Sequence, residues 1–196
     1  MKKADVGVGN RFMFNVGCAH CHHTNMEPSI KCEKCGHILP FYTMNPFVIF
    51  KTLPALKLNT VQVDDLYFDF QRQLHPDKLG DVPDEERRWA DQHISQINQS
   101  YKALKKPILI AKAAILYCKD PSLPLDKFKD DDLPAPGAEF LKAVMALQMD
   151  ASAETVQQMY NDILDRLNVA ISELNEPAIL NEASELTYVE RLRTLK

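Results

Sequence analysis

The sequence contains no apolar run approaching the roughly 20 residues a membrane-spanning helix needs, so it reads as a soluble chain. Positive charge is not in excess. Its 23 Lys and Arg stand against 27 Asp and Glu, and a formal net charge of −4 gives none of the basic footprint of a nucleic-acid binder. Residues 1–17 carry Lys2, Lys3 and Arg11 but no continuous apolar core, which excludes a standard secretory signal. As an organelle presequence the same stretch is short and weakly amphipathic. What is present is 196 residues, 45% hydrophobic and 26% charged, enough for one large domain or two to three small ones.

Five cysteines stand at positions 18, 21, 32, 35 and 118. Cys18-Ala-His-Cys21 and Cys32-Glu-Lys-Cys35 are two Cys-x-x-Cys pairs, a spacing that brings four thiolates to the corners of a tetrahedron. A module of that size has no room for a hydrophobic core, so metal binding has to supply most of its folding free energy. One zinc ion is the favoured occupant, a single iron the lesser alternative, and two disulfides or four free thiols the reading without metal. Four thiolates close the site, so no coordination position is left for catalysis. Gly36 suits the tight turn after Cys35, whereas His22 stands at the equivalent place after Cys21. His20, His22, His23 and His37 read as surface or supporting residues around the site, the alternative being that one replaces a cysteine as ligand. Cys118 lies on a helical apolar face and is expected to be a buried thiol.

Helical periodicity begins near Asn45-Pro46, with a short helix over Phe47–Thr52. Asn59 or Thr60 can cap a second helix whose apolar residues Val63, Leu66, Tyr67, Phe70 and Leu74 share one face. Proline biases the residue before it away from the α region, so this helix has to stop at His75-Pro76. A polar loop over Asp77–Val82 is expected next. Pro83 and the acids Asp84, Glu85 and Glu86 then suit a helix N-terminus. Ala90, Ile94, Ile97, Tyr101 and Leu104 continue that helix at spacings of 4, 3, 4 and 3, and Pro107 opens another. The two longest helices make a hairpin with His75, Pro76 and Asp77 at its tip. No nucleophile motif or phosphate loop accompanies them, which disfavours an acid–base dyad of His75 and Asp77.

Leu74-His75-Pro76-Asp77-Lys78 between two such helices, followed by Ile97-Asn98-Gln99-Ser100-Tyr101-Lys102-Ala103-Leu104, resembles a J domain. The resemblance implies docking onto a DnaK/HscA-type heat-shock ATPase and stimulation of its ATP hydrolysis, with His75, Pro76, Asp77, Lys78 and Arg72 at the chaperone-binding surface. Proline stiffens the tip before it binds, which lowers the entropy cost of docking. Asp77 would meet a basic group through a charge-assisted hydrogen bond. One departure is that residues 60–74 hold Asp64, Asp65 and Asp69 against Arg72 alone, where J domains usually present a basic face. Electrostatic steering is then weaker, or relies on Lys78, Arg87 or Arg88.

Residues 119–137 contain Pro121, Pro124, Pro134 and Pro136 around Asp130-Asp131-Asp132, and read as a stiff solvated linker. Beyond it three amphipathic patterns predict a three-helix bundle over 138–196, the second capped by Ser152. On its first helix Phe140, Val144 and Leu147 form one apolar stripe, and Leu141, Met145 and Met149 a second, centred about 140° away. The second stripe is either a partner groove, which flexible thioethers suit, or buried under the preceding domain. The predicted fold class is therefore mainly α: a zinc-knuckle module over 14–41, a four-helix J domain over 45–118, the linker, and the bundle.

A J domain followed by a small acidic bundle is similar to the HscB/Jac-type co-chaperones, some eukaryotic members of which carry a four-cysteine module. The resemblance implies a non-enzymatic co-chaperone, an ATPase activator in iron–sulfur cluster assembly, whose bundle binds an IscU-type scaffold protein. Leu141, Met145 and Met149 fall on the stripe implied in scaffold contact. Leu186-Thr187-Tyr188-Val189-Glu190-Arg191-Leu192 resembles the family's closing pattern and places Tyr188 there too. Lys142, Ala146 and Met149 stand where some members have acids, so apolar contact is expected to outweigh charge. The mitochondrial matrix is the implied compartment, with the cytosol as the alternative. The alternative is a J protein for other clients, with the zinc module as a client-binding or homodimer contact.

Overall fold

A computed structural model of the protein describes residues 15–150 and 152–195, the side chains of Asp150 and Leu195 excepted. The presequence reading falls on residues 1–17 and lies, up to residue 14, outside the described residues.

The cysteine module is two copies of one turn. Strand β1 (Val16–Gly17) pairs antiparallel with β2 (Thr24–Asn25) around the first copy, and a bridge between Lys31 and Ile38 flanks the second. The Cys18 N–H donates to His23 O and the His22 N–H to Cys18 O, at 2.8 and 3.0 Å. Cys32 and Gly36 repeat this with His37 O and Cys32 O, at 2.8 and 2.9 Å. The shared geometry requires a left-handed residue four places after each first cysteine. Gly36 takes it at φ 77°, and His22 takes it at φ 56° despite its Cβ. Buried Asn25 stitches the copies together, its side chain donating to Val16 O at 3.1 Å and accepting from the Glu33 N–H at 3.0 Å.

Helix α1 (Pro46–Ile49) is shorter than its sequence pattern predicts and is capped by Asn45. Helix α2 (Thr60–Leu74) starts at the Asn59 cap and ends where Pro76 forces His75 into an extended conformation, φ −61° and ψ 133°. The expected loop is different. Pro76 occupies the first position of a one-turn helix, α3 (Pro76–Leu79), where its missing N–H costs nothing. The turn closes at Gly80, φ 63°. Helices α4 (Asp84–Ala103) and α5 (Pro107–Lys119) follow at the predicted prolines. Helix α2 lies against α4 through stacked Tyr67 and Tyr101 rings 3.9 Å apart.

The proline-rich segment is pinned rather than fully solvated. It forms 3-10 turns at Leu125–Lys127 and Asp130–Asp132, and Leu125, Phe128 and Leu133 pack on the core. Asn45 Nδ2 reaches Leu123 O at 3.4 Å, and Ser184 Oγ donates to Pro134 O at 2.6 Å. Helices α6 (Ala138–Asp150), α7 (Ala153–Ser172) and α8 (Glu176–Leu195) complete the chain, Ser152 accepting from the Thr155 N–H as a cap. One apolar cluster runs from Ile30 to Leu192. Its hub is α5, which buries Ile110, Ala111, Ala113, Ala114, Ile115 and Leu116 and packs on α1, α7 and α8. Apolar residues all round a helix mark burial on every side. Cys118, expected to be buried, is half-buried near the end of α5. Its thiol is pushed up by burial and then by the Glu176 charge.

Candidate functional site

The first candidate surface is the His75-Pro76-Asp77 turn. The sequence puts it between two helices, and the fold leaves His75, Pro76, Asp77 and Lys78 all exposed. His75 Nδ1 accepts from the Asp77 N–H at 3.2 Å, and the Lys78 N–H donates to His75 O at 2.8 Å. The imidazole thus caps the turn that carries the carboxylate. His75 Nδ1 and Asp77 Oδ2 lie 3.7 Å apart with side-chain exposures of 58% and 87%, so the pair is solvated. This geometry suits presentation of a fixed polar tip to another surface.

Helix α2 carries a stripe leading to that tip: Val61, Asp65, Phe68 and Arg72 are exposed at helical spacing. The acids on this helix are not equivalent. Asp64 accepts from the Tyr101 hydroxyl at 2.8 Å and lies 3.4 Å from Lys105, which together hold its carboxyl below the usual range. Asp69 is shared between Arg72 at 3.4 Å and Gln73 at 2.6 Å. Asp65 remains the exposed acid on the stripe. The departure read from composition is therefore largely internal pairing.

The second candidate is the four-thiol cage. The Sγ atoms of Cys18, Cys21, Cys32 and Cys35 all lie within 4.8 Å of one another. Cys18 and Cys35 are 3.5 Å apart, and Cys21 and Cys32 are 3.7 Å apart. A tetrahedral ion with 2.3 Å metal–sulfur bonds requires sulfurs about 3.8 Å apart, so the donor set fits a single metal ion. All five cysteines are free, which removes the disulfide reading. Burial works against ionising Cys32, but N–H groups of Cys35 and Lys34 and neighbouring thiols outweigh it and hold the thiol at about 6. At Cys35 a hydrogen bond from the His37 backbone lowers the thiol, while burial and the three other thiols carry it to about 12. The thiols compete for charge, as ionisable groups held together do. Three of the nearby histidines are engaged elsewhere, and His22 is exposed. His23 meets Glu33 at 2.7 Å, His20 stacks on His37 at 3.7 Å, and His37 Nδ1 meets Glu86 at 2.9 Å.

The third candidate is on α6. Val144 is buried and Phe140 and Leu147 pack on the core, whereas Met145 and Met149 are 63% and 88% exposed. Leu141 is half-buried at the edge. Among the described residues, nothing covers the Met145 and Met149 part of the second apolar stripe. Tyr188, 37% exposed on α8, lines a groove with Leu133, Pro134, Thr187 and Arg191. That groove includes none of Leu141, Met145 or Met149.

Sequence reasoning missed the residues that tie these surfaces together. Glu86, expected as one more acid in a helix's first turn, is buried and bonded to the cysteine module. Asn98 accepts from Tyr67 Oη at 3.1 Å and Gln71 Nε2 at 2.7 Å, which explains the Asn-x-x-Tyr spacing on α4. The only early signal for Glu86 was its place on the Ala90-facing side of the helix.

Fold and exposed turn define the class: a mainly helical chain in which a helical hairpin with an exposed polar turn has a cysteine-cluster module in front and a helical bundle behind. No protein-family model matches it. In sequence it is 38% identical over 65 residues to the co-chaperone protein HscB homolog of Shewanella loihica, 33% of this chain and 38% of that protein. The homolog from Shewanella pealeana is 37% identical over 65 residues, 33% of this chain and 37% of that protein. These two alignments thus span less than two-fifths of the relatives' length. The homolog of Shewanella halifaxensis matches at 27% over 158 residues, 78% of this chain and 90% of that protein. In fold the chain is similar to human co-chaperone protein HscB, with TM-score 0.70, 17% identity, and 91% and 95% of the two chains covered. It is also similar to chaperone HscB from Vibrio cholerae, with TM-score 0.58, 19% identity, and 78% and 94% covered. Together these likenesses support an HscB-type co-chaperone.

Proposed function

We propose that this chain is a co-chaperone of iron–sulfur cluster assembly in the mitochondrial matrix, which brings an IscU-type scaffold to a DnaK/HscA-type ATPase and stimulates its ATP hydrolysis. The observation that carries the reading is the solvated, pre-formed His75-Pro76-Asp77 turn at the tip of the α2–α4 hairpin. A rigid turn loses little conformational entropy on docking, and an exposed carboxylate with adjacent Lys78 can pair with charges on a partner. Arg72 extends that surface along α2. The stripe of Leu141, Met145 and Met149 is the proposed scaffold contact, with Tyr188 as a separate anchor. Exposed thioethers at 63% and 88% are an adaptable apolar surface that no other described residue covers. Cys18, Cys21, Cys32 and Cys35 hold one zinc ion, which supplies folding free energy to the module and no catalysis.

The test is stimulation of a DnaK/HscA-type ATPase by the purified chain. His75→Gln and Asp77→Asn are expected to abolish it while leaving the fold and scaffold binding intact. Unchanged stimulation by both variants would sink the mechanism. In a scaffold pull-down, Met145→Asp with Met149→Asp is expected to lose binding without touching ATPase stimulation. Absence of scaffold binding by the unaltered chain at micromolar concentration would redirect the proposal to other clients.

A further inference from the structure

The cysteine module and the docking turn are far apart in sequence, yet hydrogen bonds from two adjacent residues, Glu86 and Arg87, tie both to the start of α4. Two residues beyond Cys35, His37 Nδ1 meets Glu86 Oε1 at 2.9 Å, and the Ile38 N–H donates to Glu86 Oε2 at 3.3 Å. Glu86 is only 6% exposed, and both its oxygens are spent on the module. A carboxylate buried in this way is kept only where its partners are fixed. The next residue, Arg87, faces the other way. Its Nη2 donates to Gly80 O at 2.9 Å and its Nε to Val82 O at 3.4 Å. Gly80 is the residue that closes the docking turn. A cleft of about 260 Å³ between the two parts is lined by Cys35, Gly36 and His37 on one side and Lys78, Leu79 and Val82 on the other. The first turn of α4 thus grips the metal-binding knuckle with one side chain and the docking turn with its neighbour.

We propose that Glu86 and Arg87 are positioning residues that transmit the order of the metal-loaded knuckle to the His75-Pro76-Asp77 turn, so that metal occupancy sets the geometry in which the turn is presented. The physical cause is that a module this small folds on its metal. Without the ion, His37 and Ile38 leave Glu86, whose buried carboxylate then draws the start of α4 towards water. The Arg87 clasp on Gly80 and Val82 loosens with it. That presentation serves chaperone docking rests on the function proposed above; the coupling itself does not.

The full chain is stripped with EDTA or loaded with one equivalent of zinc, and exchange of the Lys78 and Leu79 amides is followed by NMR. Both donate to His75 O, at 2.8 and 3.2 Å, and report the turn directly. Zinc is expected to slow their exchange about tenfold or more, an opening that is local rather than global. Glu86→Ala, with zinc and helicity retained, is expected to lose that slowing, and Glu86→Gln to keep most of it. Arg87→Ala, an exposed site that tests the second link without disturbing the buried one, is expected to speed exchange at both amides with zinc bound. Equal exchange with and without zinc in the unaltered chain overturns the proposal, as does an Arg87→Ala variant that exchanges like the unaltered one. ATPase stimulation is measured on the same samples. No stimulation by the zinc-loaded chain, alongside zinc-dependent exchange, defeats the docking function and leaves the coupling standing.

Discussion

His22 and Gly36 hold the same place in two copies of one turn, and only one of them is suited to it. A side chain in the left-handed region costs about 1–2 kcal/mol, partly offset by the greater freedom glycine has in the unfolded chain. His22→Gly is therefore expected to stabilise the module by about 0.5–1 kcal/mol, read as zinc held about two- to fivefold more tightly in a chelator competition. Gly36→Ala is expected to weaken it. His93 makes a second argument at this scale. It is buried on α4, flanked edge-on by Phe41 at 5.3 Å and Tyr42 at 5.5 Å, and its Nε2 meets Leu39 O at 3.2 Å. Burial holds its affinity for a proton below the ordinary value of 6.5. The unfolded chain takes up that proton as pH falls through 6.5, and the folded chain resists it until lower pH. Stability is therefore undiminished above pH 6.5 and declines below it. Denaturant melts at pH 7.5 and 5.5 are expected to differ more for the unaltered chain than for His93→Phe, whatever the variant's lower absolute stability.

Among the elements, the hairpin shows what periodicity can and cannot report. Apolar spacing placed α2, α4 and α5, because burying one face is the dominant local constraint, and caps and prolines placed their ends. Ser152 was legible for the same reason. The one-turn helix over Pro76–Leu79 was not. Pro76 ends one helix and begins another, and its tie to His75 Nδ1 is a side-chain choice that sequence spacing does not encode. The Asn98 node was visible as a pattern but not as a mechanism. Its single oxygen accepts from both Tyr67 and Gln71 of α2. Asn98→Ala strands two half-buried donors and is expected to destabilise the chain by about 1–2 kcal/mol in urea titration. Asn98→Asp, which keeps the acceptor, is expected to cost less.

Across the whole molecule, long-range contact is what the sequence concealed. The four-thiol cage was legible from spacing alone, since four like ligands in two tight pairs have few other arrangements. The bond from Glu86 to His37 spans 49 positions and that from Ser184 to Pro134 spans 50, separations over which no local pattern operates. Composition likewise marked residues 119–137 as a solvated connector, because prolines and acids dominate it. The energetics turn on the few apolar residues between them, Leu125, Phe128 and Leu133, which face the core. Helix α5 then serves both halves, packing on α1 in one direction and on α7 and α8 in the other. Helix α1 in turn packs on α4, so loss of α5 removes support from the hairpin through α1 and from the bundle directly. The two halves are therefore expected to unfold together, despite the linker-like sequence between them. Trp89, the chain's one tryptophan, sits on α4 and reports the hairpin, while amide exchange along α7 and α8 reports the bundle. Their urea midpoints are expected to coincide, and Ala114→Leu, which overpacks the shared helix, to shift both downward by the same amount, equivalent to about 1–3 kcal/mol. A variant that moves the bundle's midpoint and leaves the Trp89 transition in place would mean that α5 belongs to one half alone.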